Sequence, residues 1–325
     1  MHAWLCEQPT GVDALTWKEL PTPDPGPGQV RVAIRAASLN FPDLLIVQNK
    51  YQFKPALPFV PGTEFAGVID AVGADVAQFK VGDAVAALVG TGGFATHACV
   101  DPTRLLALPA GLPFEDGASF AFTYATSYHA LIDRAALRPG ETVFILGAAG
   151  GVGTSALQIA KAAGARVIAG ASTARKCERC IELGADAAIN YTQDNLREAL
   201  KTLTGGKGPD VIYDPVGGDL AEPAFRSIAW RGRYLVIGFT QGGIPALPWN
   251  LPLLKGASIV GVFWGEFVRR EPKANAQSLQ ALMQWYAQGR VKPVIDQVLP
   301  MSRLHDAFAR MAAREVIGKL VLVNS

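Results

Sequence analysis

The sequence contains few cysteines, little excess of either charge and no long apolar run. Four cysteines in 325 residues are too few for a disulfide scaffold, and a net charge of +2 argues against a nucleic-acid partner. No uncharged apolar run reaches the roughly 18 residues of a bilayer span, so we expect no membrane partner. The start, MHAWLCEQPTG, resembles no signal peptide. Together these absences predict a soluble, cytoplasmic globular protein.

The chain is long enough for two domains, and its pattern of predicted strands and helices changes about a third of the way along. Short strand-like runs punctuated by Gly and Pro occupy residues 1 to about 120: QVRVAIRAASL, FAGVIDAVG, DAVAALVG and FATHACV. They predict a β-rich, partly barrel-like domain. From about 125 to 262, buried strand-like runs alternate with helical segments, which predicts an α/β, doubly wound parallel sheet.

The last part of the chain has too few strands to form a domain alone. After residue 270 come a helix, a strand, a second helix and the final strand KLVLV. We expect this tail to return and complete the first domain. The predicted division is therefore 1–122 with 267–325 for the β-rich domain, and 123–266 for the doubly wound domain.

Residues 144–176, FILGAAGGVGTSALQIAKAAGARVIAGASTARK, contain a candidate phosphate-binding turn. The strand TVFIL runs through GAAGGVG directly into a helix, and from Ala148 this reads A-x-G-x-x-G. Gly150 would let the backbone approach a pyrophosphate, and Gly153 would let the helix pack against the strand. The N–H groups at the helix start favour an anion. We predict dinucleotide contacts from Ala149, Gly150, Gly151 and Val152.

The segment after the second strand of this unit, VIAGASTARK, indicates which dinucleotide is bound. Sites for NAD place an Asp or Glu there to accept from the ribose 2′-hydroxyl, but this chain has no acid before Glu178. Ser172, Arg175 and Lys176 offer a hydroxyl and two cations, which suit a 2′-phosphate. The pattern favours NADP. The alternative is that Arg175 and Lys176 are ordinary solvated charges on a helix.

Several motifs in order amount to a resemblance to a known family. The glycine turn, PGTEFAGVIDAVG at 61–73 and FKVGDAV at 79–85 resemble the medium-chain dehydrogenase/reductase superfamily. Within it, the chain resembles the zinc-independent NADPH:quinone oxidoreductases related to zeta-crystallin, from about residue 1 to 323. The resemblance implies a Rossmann NADP-binding domain, a GroES-like catalytic domain and an acceptor cleft between them. It also implies a homodimer joined edge to edge through the strand SIVGVF.

The resemblance raises the question of a metal. Zinc-dependent relatives keep a Cys near the first strand–loop and a His in a G-H-E motif, where this chain has NFPD at 40–43 and GTE at 62–64. Zinc needs about four N, S or O ligands. Cys177 and Cys180 form a lone C-x-x-C, which we expect to be ordinary thiols. We therefore predict no zinc, and without a metal the oxidation of an alcohol is disfavoured.

The shortage of reactive groups fits hydride donation to an acceptor that is already electrophilic. Quinones and enones delocalise the developing charge onto oxygen, so the protein mainly has to orient the reactants. The resemblance implies that Asn40, Asp43 and the loop KYQFKPALPFV line the site, and Tyr51 in that loop is a further candidate proton donor. Asn40 would hydrogen-bond the acceptor carbonyl or cap a turn. Asp43 would either line the acceptor site or be the N-cap residue of a helix around DLLIVQ.

Further cofactor contacts are carried over by motif. Thr126, in TYATSYHAL, matches a Thr near the nicotinamide, and Tyr191 matches an aromatic beside the adenosine and its 2′-phosphate. Lys319 aligns with a lysine that reaches toward the cofactor, with a solvated charge at the start of a strand as the alternative. The loops after the fifth and sixth strands would flank the nicotinamide or pack between the domains. These loops contain Gly238, Phe239, Phe263, Trp264 and Gly265.

Three functions remain open, in this order of preference. The first is NADPH-dependent quinone reduction. The second is reduction of the activated C=C bond of an enone or of an acryloyl or enoyl thioester. This needs a proton donor and, for coenzyme A thioesters, phosphate-binding cations. The third is a non-enzymatic role, against which the glycine turn and the near-neutral charge both argue. The candidate cations are Lys50, Lys54, Arg269, Arg270 and Lys273.

Overall fold

The structure is a computed structural model that describes residues 1–324 and divides the chain into two units. The first unit combines Met1–Phe122 with the chain from Ile295 onward, and the second is Thr123–Val294. The sequence analysis placed the second boundary near residue 266, whereas the second unit extends to Val294. The intervening residues stay with the second unit because the Tyr124 hydroxyl donates to the Lys292 carbonyl at 2.6 Å. Trp285 also packs edge-on against Tyr128, with ring centroids 5.5 Å apart.

The first unit is built on a mostly antiparallel seven-stranded sheet. Within residues 1–324, the unit has nine strands, seven of which form this sheet. Numbered along the whole chain, they are β1 (His2–Cys6), β2 (Leu15–Glu19), β3 (Val30–Ser38), β4 (Glu64–Val72), β5 (Ala84–Leu88), β6 (His97–Val100), β7 (Leu105–Ala107), β14 (Ile295–Pro300) and β15 (Lys319–Val323). The spatial order is β14-β15-β3-β4-β5-β7, with β6 also paired to β3, while β1 and β2 pair separately. The chain from Ile295 onward thus returns to the first unit.

The alternation in QVRVAIRAASL explains why this run forms β3. Val30, Val32 and Ile34 are at most 2% exposed, whereas Arg31 and Ala33 are only partly covered. One face of the strand therefore packs into the core of the unit and the other does not. The helices with residues in this unit are α1 (Phe41–Val47), α2 (Phe114–Tyr128), which crosses into the second unit, and α10 (Leu304–Ala312).

The second unit is a six-stranded, wholly parallel sheet with helices between its strands. The strands are β8 (Thr142–Ile145), β9 (Arg166–Ala171), β10 (Ala187–Asn190), β11 (Val211–Asp214), β12 (Arg233–Val236) and β13 (Ser258–Gly261). The helices are α3 (Gly151–Ala162), α4 (Ala174–Glu182), α5 (Leu196–Leu203), α6 (Ala221–Arg226), α7 (Asn250–Lys255), α8 (Trp264–Arg270) and α9 (Pro272–Ala287).

The strand order β10-β9-β8-β11-β12-β13 is that of a Rossmann sheet. Val143, Phe144 and Ile145 are completely buried, as expected where helices cover both faces of a parallel strand. The predicted fold class is therefore confirmed. Among residues 1–324, no helix has the length and apolar character needed to cross a bilayer.

Candidate active site

The glycine turn of the second unit joins β8 to α3. Gly147 has φ +59°, a left-handed conformation that favours glycine, and Gly150 is the residue immediately before the helix. A Cβ on Gly153 would lie 2.2 Å from the carbonyl oxygen of Gly147. Only glycine allows α3 to approach the turn this closely, which is the packing role predicted for Gly153.

The start of α3 is suited to an anion. The Thr154 N–H already donates to the Gly150 carbonyl at 2.8 Å, while the amides of the preceding turn have no carbonyl four residues earlier in the helix. Two of those amides belong to Gly151 and Val152. With the dipole of a twelve-residue helix behind them, they favour a bound phosphate. Ala149 precedes them and is 2% exposed.

A buried hydroxyl network fixes the end of α2 against this turn. The Ser127 Oγ lies 2.9 Å from the Tyr213 hydroxyl and 2.8 Å from the Ser155 Oγ. Ser155 in turn donates to the Thr123 carbonyl at 3.0 Å. Because these contacts join α2, α3 and β11, they also determine where the neighbouring Thr126 lies. Its side chain is buried.

The residues predicted to hold the 2′-phosphate follow two adjacent strands, β9 and β10. The Tyr191 N–H donates to the Ala171 carbonyl at 3.1 Å, and the Thr192 hydroxyl donates to the Ser172 carbonyl at 3.1 Å. The structure therefore brings Ser172 and Tyr191 to one edge of the sheet. Thr173 caps α4 by accepting from the Lys176 N–H.

Arg175 lies in the first turn of α4, beside this edge of the sheet. Its side chain is exposed and forms no salt bridge with any residue between 1 and 324. Lys176 follows it and is partly buried. Two adjacent cations and no carboxylate therefore lie between β9 and Glu178. This arrangement can accept a dianionic group without first breaking an ion pair of Arg175.

Asp214, at the carboxyl end of β11, is a residue that the sequence reasoning missed. Its carboxylate accepts from the N–H groups of Val216 and Gly217 at 2.7 and 2.9 Å, and from the Tyr234 hydroxyl at 2.5 Å. Burial raises the pKa of Asp214, and these donors oppose the shift. The bonds hold Val216 against the glycine turn, where a Cβ on Gly147 would lie 2.9 Å from the Val216 Cγ2. The signal in the sequence that could have identified Asp214 was an acidic residue at the end of the buried run DVIYD.

The residues of the two loops predicted to flank the nicotinamide, after β12 and after β13, differ in exposure and in the residues they contact. Gly238 and Phe239 lie just beyond β12. The Phe239 ring is so close to Gly217 that a Cβ added to Gly217 would lie 2.8 Å from it. Phe263 is 61% exposed and is the N-cap residue of α8. Trp264 is buried and donates to the Asn275 Oδ1 at 3.1 Å, so its side chain packs within the second unit. Gly265 lies in the first turn of α8.

His129 and His97 have side chains capable of general-acid chemistry, but both are held by packing contacts. His129 is 4% exposed and its ring stacks on that of Phe267 at 4.0 Å. Burial lowers its pKa, against the opposing charge of Asp133. His97 lies in β6, where Asp70 is its neighbour at 3.5 Å. Both histidines therefore occupy structural positions.

In the first unit, Asn40 and Asp43 are brought together at the start of α1. Asn40 is the N-cap residue, and its N–H donates to the Asp43 Oδ2 at 2.8 Å. The alternative in which Asp43 is itself the N-cap is wrong, because Asp43 is the third helical residue and its carboxylate reaches back to the cap. Asp43 is fully buried, and its Oδ1 has no well-formed hydrogen bond within the described chain.

Lys319 lies in the same cluster. It is the first residue of β15 and is 4% exposed, so the alternative of a solvated charge at the start of a strand is wrong. Its Nζ donates to the Asn40 Oδ1 at 2.5 Å and to the Leu39 carbonyl at 3.1 Å, and lies 3.8 Å from the Glu64 Oε2. The return of β15 to β3 explains the burial.

Glu64 is the second residue that the sequence reasoning missed as a site residue. It is fully buried and accepts from the Ser38 Oγ at 2.9 Å, the Phe122 N–H at 2.8 Å and the Asn40 Nδ2 at 3.3 Å. The Asn40 Nδ2 is also 3.3 Å from the Thr63 Oγ1. The signal in the sequence was that GTE at 62–64 keeps the Glu of the G-H-E motif although the His is replaced.

The cluster contains two carboxyl groups and one ammonium, all removed from water. Burial raises the pKa of Asp43 to about 7, although the Asn40 N–H, the Lys319 charge and Thr63 act in the other direction. Burial also raises the pKa of Glu64 and lowers that of Lys319. Tyr51 is half-buried, and its pKa is raised by burial and by the charge of Asp43. Each of these groups is therefore shifted toward its neutral form.

The donor set of this cluster does not fit zinc. Asn40 and Thr63 offer an amide and a hydroxyl that bond to one another, and the ammonium of Lys319 would repel a cation. In residues 1–324, no group of three or more His, Cys, Asp or Glu side chains is arranged to hold a metal. Cys177 and Cys180 are free thiols, and burial raises the pKa of Cys180 to about 12.

Comparisons with known proteins identify related chains. Two protein-family profiles match: the one described as "Alcohol dehydrogenase GroES-like domain" covers residues 26–110, and "Zinc-binding dehydrogenase" covers 151–286. A protein of Nematostella vectensis named "Quinone oxidoreductase-like protein 2 homolog" is 38% identical over 324 residues. The match spans 99% of this chain and 88% of that protein.

Solved structures share the fold along their whole length. The Escherichia coli quinone oxidoreductase complexed with NADPH has a TM-score of 0.92 at 28% identity, covering 100% of both chains. The CurK enoyl reductase has a TM-score of 0.89 at 28% identity, covering 99% of both chains.

Proposed function

Because the chain belongs to the quinone oxidoreductases of the medium-chain dehydrogenase/reductase superfamily, we propose that it is an NADPH-dependent quinone reductase. It transfers a hydride to a quinone or a similar conjugated carbonyl without a metal. The observation that carries this proposal is the buried cluster of Asn40, Lys319 and Glu64, in which the Asn40 amide contacts an ammonium and a carboxylate and no metal-binding set is formed. With no Lewis acid to polarise an alcohol or an unactivated carbonyl, the acceptor must already be electrophilic.

The second unit holds the cofactor, and NADPH supplies the hydride when it is bound. The first-turn amides of α3 would bind the pyrophosphate, and Ser172, Arg175, Lys176 and Tyr191 would bind the 2′-phosphate. The unpaired Arg175 side chain and the absence of an acid between β9 and Glu178 support NADP over NAD. The NADPH bound by the Escherichia coli relative adds further support.

The first unit contributes polar groups for the acceptor. The Asn40 amide donates a hydrogen bond to the carbonyl oxygen on which negative charge develops. Asp43, whose pKa near 7 keeps its carboxyl partly protonated at neutral pH, is one candidate proton source and Tyr51 is the other. Tyr51 is the more exposed of the two and remains protonated because its own pKa is raised.

Reduction of an activated C=C bond is the second candidate, and the likeness to the CurK enoyl reductase favours it. The cations that would bind a coenzyme A thioester differ in availability. Arg269 and Arg270 both pair with Glu266 in α8, at 2.5 and 2.6 Å. Lys50 and Lys54 are exposed and form no salt bridge within residues 1–324. Lys273, at the start of α9, is likewise exposed and without a salt bridge among those residues, so a thioester site would depend on these three lysines.

As part of the same proposal, the protein acts as a cytoplasmic homodimer, with no nucleic-acid or membrane partner. The strand β13 has β12 as its single pairing partner in the described chain, and its Ile259 is 40% exposed. Leu253 and Leu254, in the adjacent α7, are 78% and 68% exposed. An unpaired apolar edge of this kind is covered when a second copy pairs with it.

A panel of acceptors tests the function. NADPH consumption is followed by ultraviolet absorbance against benzoquinone, phenanthrenequinone, an alkyl vinyl ketone and acryloyl-CoA, with NADH in parallel. Preference for the quinones with NADPH is the expected result. Preference for the vinyl ketone or the thioester would replace the proposal by the C=C reductase. Tight NADPH binding with no turnover of any acceptor would refute both.

A further inference from the structure

We propose that Glu64 and Lys319 are positioning residues that fix and polarise the side-chain amide of Asn40. This inference rests on the proposed function, since Asn40 is the group placed against the acceptor oxygen. It assigns Glu64 a role that the sequence did not suggest. It also gives Lys319 a role different from the cofactor contact implied by resemblance.

The orientation of the Asn40 amide follows from the two charges on either side of it. An ammonium can only donate a hydrogen bond, so the amide atom 2.5 Å from the Lys319 Nζ is the oxygen. An ionised carboxylate can only accept, so the atom 3.3 Å from the Glu64 Oε2 is the nitrogen. A flipped amide would place NH₂ against NH₃⁺ and oxygen against carboxylate. The pair of charges therefore selects one rotamer.

Glu64 is itself held in place, so that it can act as a fixed reference. Its Oε1 accepts from the Phe122 N–H at 2.8 Å, and its Oε2 accepts from the Ser38 Oγ at 2.9 Å. Lys319 is anchored by the Leu39 carbonyl at 3.1 Å. Both charges are thus tied to backbone groups of the first unit. Asn40 is the side chain between them.

The same geometry leaves the amide N–H groups available. The two contacts of the Asn40 Nδ2, to Thr63 and Glu64, are both 3.3 Å long, beyond the usual range for a strong bond. One of these N–H groups can be redirected to an acceptor oxygen at little cost. The ammonium on the amide oxygen draws electron density from the nitrogen, which makes the N–H a stronger donor.

Lys319 acts through Asn40 and does not need to touch the cofactor. Two of its three N–H groups are used by Asn40 and Leu39, and the ammonium is 4% exposed. Its loss should therefore lower kcat and leave cofactor affinity unchanged. A direct cofactor ligand would give the opposite pattern.

The test uses Lys319→Met, Glu64→Gln and the double variant in the full-length protein, with Lys80→Met as the control. Lys80 is an exposed lysine of the same unit. Thermal unfolding, NADPH titration, and kcat and KM for the best acceptor of the panel are measured for each. The side-chain amide signals of Asn40 are followed by NMR in protein labelled with ¹⁵N-asparagine and are assigned with Asn40→Ala.

We expect each single variant to be destabilised and to lose roughly 10- to 100-fold in kcat, with the NADPH Kd within about twofold of the wild type. The Asn40 amide signals should shift or broaden. The double variant removes both buried charges, so it should regain much of the lost thermal stability. It should not regain kcat, because nothing then orients the amide.

Three results would overturn the inference. If the double variant recovered kcat together with stability, the pair would be merely structural. If Lys319→Met raised the NADPH Kd and left the Asn40 signals unchanged, Lys319 would be a cofactor ligand. If the amide signals were unchanged in all variants, the positioning role would be refuted even if the wild type reduced none of the acceptors. Absence of turnover in the wild type would refute the proposed function separately.

Discussion

Replacing Asp43 by Asn should stabilise the protein at alkaline pH but have little effect at acid pH. Asp43 is fully buried, and burial raises its pKa from 3.8 to about 7. Asn keeps the oxygen that accepts the Asn40 N–H and removes one of the two buried carboxylates. Lys319 and Glu64 then remain as a balanced pair.

The size and sign of the effect follow from proton linkage. When the pKa of a carboxyl group is raised in the folded state, its protonation favours folding. The stability associated with that proton is fully present below the pKa of the unfolded state, near 4. That stability is lost as the pH rises through about 7. One pKa unit corresponds to about 1.4 kcal/mol. Between pH 5 and pH 8 the wild type should therefore lose about 3 kcal/mol of unfolding free energy relative to Asp43→Asn.

The assay is urea unfolding followed by circular dichroism at both pH values. Asp83→Asn is a matched control, because the Asp83 Oδ2 also accepts from the N–H three residues earlier, that of Lys80, at 2.9 Å. Its side chain is not fully buried, so this variant shows the effect of losing the same kind of carboxylate at a more exposed helix-free turn. If Asp43→Asn had equal effects at pH 5 and pH 8, the argument from burial would be refuted.

Three further predictions concern the second unit. Arg175→Ala with Lys176→Ala should weaken NADPH more than NADH, by about 1.5–3 kcal/mol for each charge-assisted bond lost, as measured by fluorescence titration. Gly153→Ala should cost about 1–3 kcal/mol of stability and weaken both cofactors, because its Cβ would lie 2.2 Å from the Gly147 oxygen. Thermal unfolding and the same titrations check this. Ile259→Lys should convert the proposed dimer into a monomer, as measured by light scattering, since it places a charge on the exposed edge of β13.

Each of these predictions has a contradicting outcome. Equal losses for NADPH and NADH in the double Arg175/Lys176 variant would refute the assignment of the 2′-phosphate. A fully stable Gly153→Ala would mean that α3 can move away from the turn. A wild-type protein that is monomeric at micromolar concentration would refute the dimer before any variant is made.

Local patterns were sufficient to predict the strand, turn and helix with which the second unit begins. The buried strand TVFIL, the glycine turn and the helix after it are contiguous in sequence, and β8 and α3 formed where they were expected. Short-range periodicity records which residues are covered on both faces of a sheet. The placement of α8 and α9 was less well predicted, because it depends on distant contacts such as that between Tyr128 and Trp285.

The candidate site was predicted less completely. Asn40 and Asp43 were found because they lie within one turn of the chain, and their capping contact is local. Asp214 was missed because its partners become visible only when β11 and β12 pair and bring Tyr234 beside it. A single acid at the end of a buried run does not reveal whether it serves a turn or a ligand.

The sequence by itself determined the order of the units, the glycine turn between β8 and α3 and the basic segment after β9, because each depends on neighbouring residues. The tertiary structure alone decided that Lys319 is buried against Asn40, which lies 279 residues away, and that both adjoin Glu64. That contact exists because β15 pairs with β3 and carries its first residue into the unit that holds α1. The pairing of distant strands has no local pattern, so the charges that surround Asn40 could be identified only from the fold.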